Sequence, residues 1–213
     1  MSSATANVQP DAGTGTAGVA QVHEPAQLRA STYRLLGFLL SGPPSQDLLD
    51  QLATQVQPGD QGRAIERAWA QLRDAAREHP ARVWEREYNA LFIGVGEGEL
   101  MPYGSWYLAG RVMDKPLAKL RGALKMLGIE RQPGAGEPED HAAAICEVMA
   151  LLAEDTQMSI EGQREFFAAH VQGWLPRFFE DLDQAKSANA YRSVAAVGSA
   201  FIALDGQYLS MLA

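Results

Sequence analysis

Leu28-Arg29-Ala30-Ser31-Thr32-Tyr33-Arg34-Leu35-Leu36-Gly37-Phe38-Leu39-Leu40-Ser41-Gly42-Pro43-Pro44 is the stretch that decides the fold class. Leu28, Leu35, Leu36, Leu39 and Leu40 return with the helical period. The Ser-Gly-Pro-Pro run then ends the pattern, because proline lacks the N–H a helix needs and clashes with the preceding turn. The same grammar repeats downstream. Leu48, Leu49, Leu52 and Val56 mark a second helix closed by Pro58-Gly59. Ile65, Trp69, Leu72 and Ala76 mark a third, stopped near His79-Pro80, and Val83, Trp84, Tyr88, Leu91 and Phe92 place 82–93 on a fourth. A glycine-rich break at 94–98 and a Met101-Pro102-Tyr103-Gly104 turn follow. From Ser105 to Leu127 the period resumes, with Lys115-Pro116 inside it predicting a kink or a fresh helix start, and Gly128 reads as the C′ residue. Further stripes run through Ile145, Met149 and Leu152, through Ile160, Phe166, Phe167 and Val171, and through Phe178, Phe179 and Leu182. The last carries Tyr191, Val194, Val197, Phe201, Leu204, Tyr208 and Leu212. No segment alternates with period two. The pattern predicts an all-α protein, a bundle of about eight to ten helices in two unequal lobes, joined by a linker at 128–137 that contains Gln132-Pro133-Gly134-Ala135-Gly136.

Composition narrows the function classes. At 213 residues the chain suits one domain, and 46% hydrophobic against 21% charged residues is a globular balance. Its net charge of −8 argues against nucleic acid, since phosphates are neutralised by clustered Lys and Arg. The single cysteine, Cys146, makes no internal disulfide and excludes a multi-thiolate metal cage within one chain. No apolar run approaches the roughly 20 residues of a bilayer span, so no stable membrane insertion is expected. Before Arg29 there is no Lys or Arg, which removes the positive n-region of a secretory signal. Ala, Gly, Thr and Ser dominate residues 1–24, which read as a disordered tail, with 25–213 as one helical domain in a reduced, cytoplasmic setting. Gly13, Gly15 and Gly18 spell G-x-G-x-x-G, but no strand precedes them, and the match is a low-complexity coincidence.

Catalytic grammar is sparse. His23, His79, His141 and His170 are scattered, with no pair at helical i, i+4 spacing, and there is no G-x-S-x-G, P-loop or H-E-x-x-H. No metal, cofactor or catalytic residue is expected. The alternative of a nucleotide-dependent, GTP-binding switch or enzyme would have to use Gly94-Val95-Gly96-Glu97-Gly98, where Glu97 and Glu99 repel phosphate and no lysine is near. A third reading is a purely structural helical subunit.

Three motifs rise above this background. Glu87-Tyr88-Asn89-Ala90-Leu91-Phe92 leads into the glycine loop and then Pro102-Tyr103-Gly104-Ser105-Trp106-Tyr107, a dense aromatic surface beside a flexible segment, suited to an apolar helix from another chain. Glu137-Pro138-Glu139-Asp140-His141 follows the linker. Its proline and acids are ordinary helix-start grammar, and His141 near a positive helix end is favoured as the neutral imidazole. His170-Val171-Gln172-Gly173-Trp174-Leu175-Pro176-Arg177-Phe178 is an aromatic helix end best explained by core packing.

Taken together, Y-x-x-L-F at 88–92, the aromatic cluster at 102–107, E-P-x-D-H at 137–141 and H-x-x-x-W-x-P-x-F at 170–178 resemble the TorD, DmsD and NarJ-like family of redox-enzyme maturation chaperones. The resemblance spans about residues 28–212. It implies an all-helical cytoplasmic chaperone, not an enzyme, that binds the twin-arginine signal peptide and apo catalytic subunit of a molybdenum oxidoreductase until its cofactor is loaded, before export. It assigns peptide binding to Asp140 and His141, with Tyr88, Leu91, Phe92, Pro102 and Trp106 nearby. Elementary chemistry agrees: a cationic end followed by an apolar segment calls for a hydrophobic groove with carboxylates at one end, on an acidic protein. The expected arrangement is an exposed Asp140 facing the arginines, with Leu91, Phe92 and Trp106 on the apolar segment. A linker between two lobes also predicts some domain-swapped dimer beside the monomer.

Overall fold

A computed structural model describes residues 16–212 except 58, 60, 95–97, 132, 133 and 135, with side chains from Pro25 onward. The described residues form ten α-helices and no β-strand: α1 (Thr16–Ser41), α2 (Gln46–Gln55), α3 (Ala64–Glu78), α4 (Ala81–Tyr88), α5 (Gly104–Ala109), α6 (Lys115–Met126), α7 (Ala142–Glu154), α8 (Ile160–His170), α9 (Leu175–Gln184) and α10 (Tyr191–Met211). Local chemistry sets many of the ends. Ser45 and Ser159 cap α2 and α8 by accepting the N–H of Leu48 and Gly162. The proline at 116 marks a fresh start: α5 stops at Gly110 (φ +72°), and Asp114 caps α6 with Pro116 in its first turn. Gly128 takes the left-handed conformation (φ +68°) just beyond α6.

The first helix departs from the composition reading. It begins at Thr16, so 16–24 are helical backbone and not part of a disordered tail, and Pro25 lies inside it. Once a helix is nucleated, each added residue gains a hydrogen bond at little entropic cost, and the tightly packed turns from Arg29 onward supply that nucleus. Residues 1–15, including Gly13 and Gly15, lie outside the described residues.

One hydrophobic core runs through the bundle. α1 lies along α7, and Gly37 permits the close approach: a Cβ there would sit 3.2 Å from the Ala143 carbonyl oxygen. α10 packs on α9, α3 and α8, so segments from both sides of the 128–137 linker share the core. At 21 residues α10 is long and apolar enough to cross a membrane by length and composition, contrary to the sequence reading, yet Tyr191, Val194, Val197 and Ile202 are buried against its neighbours. A polar knot pins the same helix. Arg29 donates to Asp205 (2.5 Å) and Gln163 (2.8 Å), and Tyr33 donates to Asp205 (2.7 Å), linking α1, α8 and α10.

Candidate functional site

Where a regular helix was expected through Ile93, α4 widens into a π-helical turn at Asn89–Ile93, closed by the Gly94 N–H on the Asn89 carbonyl (2.7 Å). The wide turn buries Leu91 fully, leaves Phe92 half-buried and turns Ile93 outward. Tyr88 stacks beside Phe92 with ring centres 5.1 Å apart, and Phe92 continues towards Phe178 at 6.4 Å. The glycine at 98 is required by close approach, because a Cβ there would fall 2.5 Å from the Phe92 carbonyl carbon. Two glutamates lock this corner to the start of α10. Glu87 accepts the backbone N–H groups of Asn189, Ala190 and Tyr191, and Glu99 those of Lys186 and Ser187. The residues between, 95–97, on which a nucleotide loop would depend, lie outside the described residues.

The Pro102 turn and the E-P-x-D-H motif meet as a two-residue ribbon. Gly104 N–H donates to the Asp140 carbonyl and Ala142 N–H to the Pro102 carbonyl, both at 2.8 Å, framing a Tyr103–His141 bridge. The Asp140 carboxylate reaches across and accepts the Ser105 N–H (2.7 Å), which caps α5 from outside its own chain segment. The expected exposed first-turn acid is therefore corrected: α7 starts at Ala142, Asp140 precedes it, and only 3% of the residue is exposed. Pro138 does not open the helix either. His141 takes the cap position itself, its Nδ1 accepting the Ala143 N–H (3.1 Å), and this shifts the helix start past the motif. Burial pushes the His141 pKa down, against the opposing pull of Glu137 and Asp140, so the ring is neutral and able to accept that bond. Tyr103 donates to Glu137 (2.6 Å), and burial with that carboxylate raises its pKa.

Asp140 keeps one oxygen, Oδ1, without a hydrogen-bond partner although it is buried. The residue lines a cleft of about 290 Å³ between α5, α6, α7 and the end of α8, with Leu108, Lys119, Leu120, His170 and Trp174 around it. Leu108 in its lining is 47% exposed, and Trp106 (44%), Val112 (40%) and Met113 (71%) are further exposed apolar side chains on α5 and the loop after it. Met113 holds a left-handed φ of +58°, strained for a side chain of its size, with its N–H on Ser105 Oγ (3.1 Å).

Of the seven residues singled out, Pro102, Asp140 and His141 converge at the ribbon, and Tyr88 and Phe92 form the aromatic corner. Trp106 is exposed on α5. Leu91, Pro102, Tyr88, Asp140 and His141 are all buried, and Phe92 is half-buried. Sequence reasoning missed Ser105, Leu108, Lys119, Val112 and Met113. Ser105 sat within a flagged motif, and Leu108 and Val112 within the 105–127 stripe, where the period places them inward although both are exposed; a cap made across 35 residues has no local signal. Trp174 and Phe178 are core, with the Trp174 indole donating to the His170 carbonyl (2.7 Å).

No cluster of three or more potential metal ligands occurs among the described residues. The cleft offers one unsatisfied carboxylate oxygen to a donor, beside both apolar and basic side chains. The sequence model of the nitrate reductase delta subunit family matches residues 60–180, and the chain belongs to that family, within the group that includes TorD- and DmsD-type chaperones. It is 29% identical over 136 residues to the chaperone protein TorD of Vibrio cholerae, covering 59% of this chain and 62% of that protein. With TorD of Actinobacillus pleuropneumoniae it shares 27% over 147 residues, 69% of this chain and 70% of the relative. With the Haemophilus influenzae protein named "Probable Tat proofreading chaperone DmsD" it shares 31% over 111 residues, 51% and 53% of the two chains. The chain thus aligns with about three-fifths of the length of the Vibrio relative. The fold resembles that of a protein from Archaeoglobus fulgidus assigned as a candidate redox enzyme maturation protein, with a TM-score of 0.55 and 18% identity over 83% of this chain and 94% of that one.

Proposed function

We propose that this protein is a cytoplasmic chaperone, without catalytic activity of its own, that holds the twin-arginine signal peptide and apo catalytic subunit of a molybdenum oxidoreductase before export. The observation that carries the reading is the Asp140 cleft: a buried carboxylate with an oxygen still able to accept, beside the half-exposed Leu108 and the apolar Leu120 and Ile145. A cationic or N–H donor entering the cleft satisfies Oδ1, while the apolar segment of the same peptide lies against Leu108 and its apolar neighbours in the lining. His141 and Tyr103 hold the ribbon that positions Asp140, and the neutral imidazole keeps the α7 start intact. Relatives named as TorD and DmsD chaperones support the same class.

Calorimetric titration with the signal peptide of a molybdoenzyme encoded beside this chain tests the proposal. Binding is expected, weakened strongly by Leu108→Asp, which places a charge in the cleft lining at a half-exposed position. A wild-type protein that ignores the peptide, or a Leu108→Asp protein that binds it unchanged, rejects this function for the cleft.

A further inference from the structure

Helix α6 runs against the charge of the chain. Across Lys115–Met126 it holds three lysines and one arginine and no Asp or Glu, in a protein with 26 acids against 18 bases. Leu117, Leu120 and Leu124 turn to the interior. The opposite face carries Lys115, Lys119, Gly122 and Met126 at i, i+4, i+7 and i+11, flanked by Ala118 and Lys125, and all six are exposed. Ion pairing takes up the arginines here and not the lysines. Arg121 is held by Glu139 and Arg111 by Asp114, whereas the ammonium groups of Lys115, Lys119 and Lys125 make no ion pair among the described residues. Asp114, the acid next to Lys115, is already claimed by Arg111 and by the first N–H of α6. Apolar side chains border these cations. Val112 and Met113 precede Lys115, Leu108 shares a cleft wall with Lys119, and Met126 at the far end is 85% exposed.

We propose that the outer face of α6, with Val112 and Met113 before it, adsorbs to an anionic lipid surface, the helix lying along the bilayer and no segment crossing it. Shape and charge together select this occupant. Cavities border the helix on its flanks, one reaching Lys119 and Pro116 and the other Arg121 and Lys125, so the Lys115–Gly122–Met126 line between them is a ridge. A partner helix seeks a groove, and a headgroup layer needs none. Methionine and valine side chains enter that layer while lysine stems lie along its apolar boundary and keep their ammonium groups at the phosphates. Small residues at 118 and 122 let the backbone come close, and even a Cβ on Gly122 would meet nothing within 4 Å. The acids elsewhere in the chain do not forbid the contact, because at physiological salt charges further than about 8 Å from the headgroups are largely screened. A symmetric dimer through this face would set lysine against lysine, which disfavours a second copy.

The test is co-sedimentation of the full chain with vesicles of phosphatidylcholine containing about one-third phosphatidylglycerol, against phosphatidylcholine alone, at two ionic strengths. Binding is expected only to the anionic vesicles and should weaken as salt rises. A lysine near such a surface contributes roughly fivefold in affinity, so K115E/K125E should bind at least about twentyfold more weakly. Met113→Asp, a residue type that tolerates the left-handed backbone there, should lose about tenfold. The control R82E/R192E makes the same change in net charge at exposed positions of α4 and α10 and should stay within a few-fold of wild type. Absence of binding to anionic vesicles overturns the proposal, as do equal binding to phosphatidylcholine alone and equal losses in the control. A synthetic glutamate-rich amphipathic peptide that binds this face where vesicles do not overturns it in favour of a polypeptide partner, and self-association abolished by K115E/K125E overturns it in favour of a second copy. Neither variant alters a residue lining the Asp140 cleft, so titration of the signal peptide should be unchanged in both, and each reading stands or falls by its own measurement.

Discussion

Replacing Asp140 with alanine and with asparagine separates its two roles. Alanine removes the acceptor of the Ser105 N–H, a 2.7 Å charge-assisted bond in a site only 3% exposed, and strands that donor at the start of α5. Such a bond is worth about 1.5–3 kcal/mol, and at roughly 2–4 °C per kcal/mol for a domain of this size the melting temperature should fall by about 3–12 °C. Relief of the bare Oδ1 offsets part of that loss, which favours the lower half of the range. Asparagine keeps an oxygen for Ser105 and puts an amide where Oδ1 stood, so its stability should stay within about 1 kcal/mol of wild type. In its place the cleft gains donors facing an incoming donor, and signal-peptide affinity should drop about ten- to a hundredfold. Differential scanning fluorimetry and isothermal titration on both variants read the two effects. An alanine variant melting like wild type refutes the capping role, and an asparagine variant binding like wild type refutes reception by Oδ1.

Gly98→Ala forces a methyl against the Phe92 backbone, and a melting curve should show a loss of about 1–3 kcal/mol; an unshifted midpoint contradicts the close packing. The depressed pKa of His141 means that the folded state binds fewer protons than the unfolded one. Its stability is fully present above the unfolded value near 6.5 and declines as pH falls towards the folded value. His170 adds to this slope for the same reason of burial, with Lys119 reinforcing it. His141→Asn retains a capping acceptor and should flatten the acid limb of urea midpoints between about pH 6.5 and 5. Asp205→Ala leaves Arg29 buried without its carboxylate and should cost about 3–5 kcal/mol by urea unfolding. For the linker, light scattering across concentration and mild acid should reveal a minor swapped dimer, and monomer alone under every condition removes that expectation.

The helices were legible because burial imposes a period, and most stripe residues, Leu36, Leu49, Leu72, Met149 and Val194 among them, face the core, while Leu28, Leu108, Val112, Leu204 and Leu212 are exposed. Where the reading stopped short, the cause was non-local. Nothing in Asn89–Ile93 announces a π turn, whose Ala90 and Leu91 carbonyls are met by the N–H groups of Glu99 and Leu100 from beyond the glycine loop. Asp140 reads as a first-turn acid until Ser105 arrives from another segment and claims its carboxylate. Composition likewise hid the helical state of Thr16–Glu24, since a nucleus beyond Pro25 determines it. Met113 shows the same limit, as its positive φ is imposed by the Gly110–Asp114 connection and not by its side chain.

The placement of α10 has a consequence for how this protein comes into being. Helix α3 rests on α10, and the first turn of α10 is held by Glu87 at the end of α4, so early segments have their partner 103 to 104 residues downstream. Synthesis delivers the N-terminal helices first. Until Tyr191–Met211 leaves the ribosome, Leu72 and Trp84 have no lid, and the nascent protein displays the same kind of sticky surface that a chaperone exists to cover. A premature stop within the final helix should therefore be disproportionately harmful, yielding an aggregating fragment and not a shortened but serviceable protein.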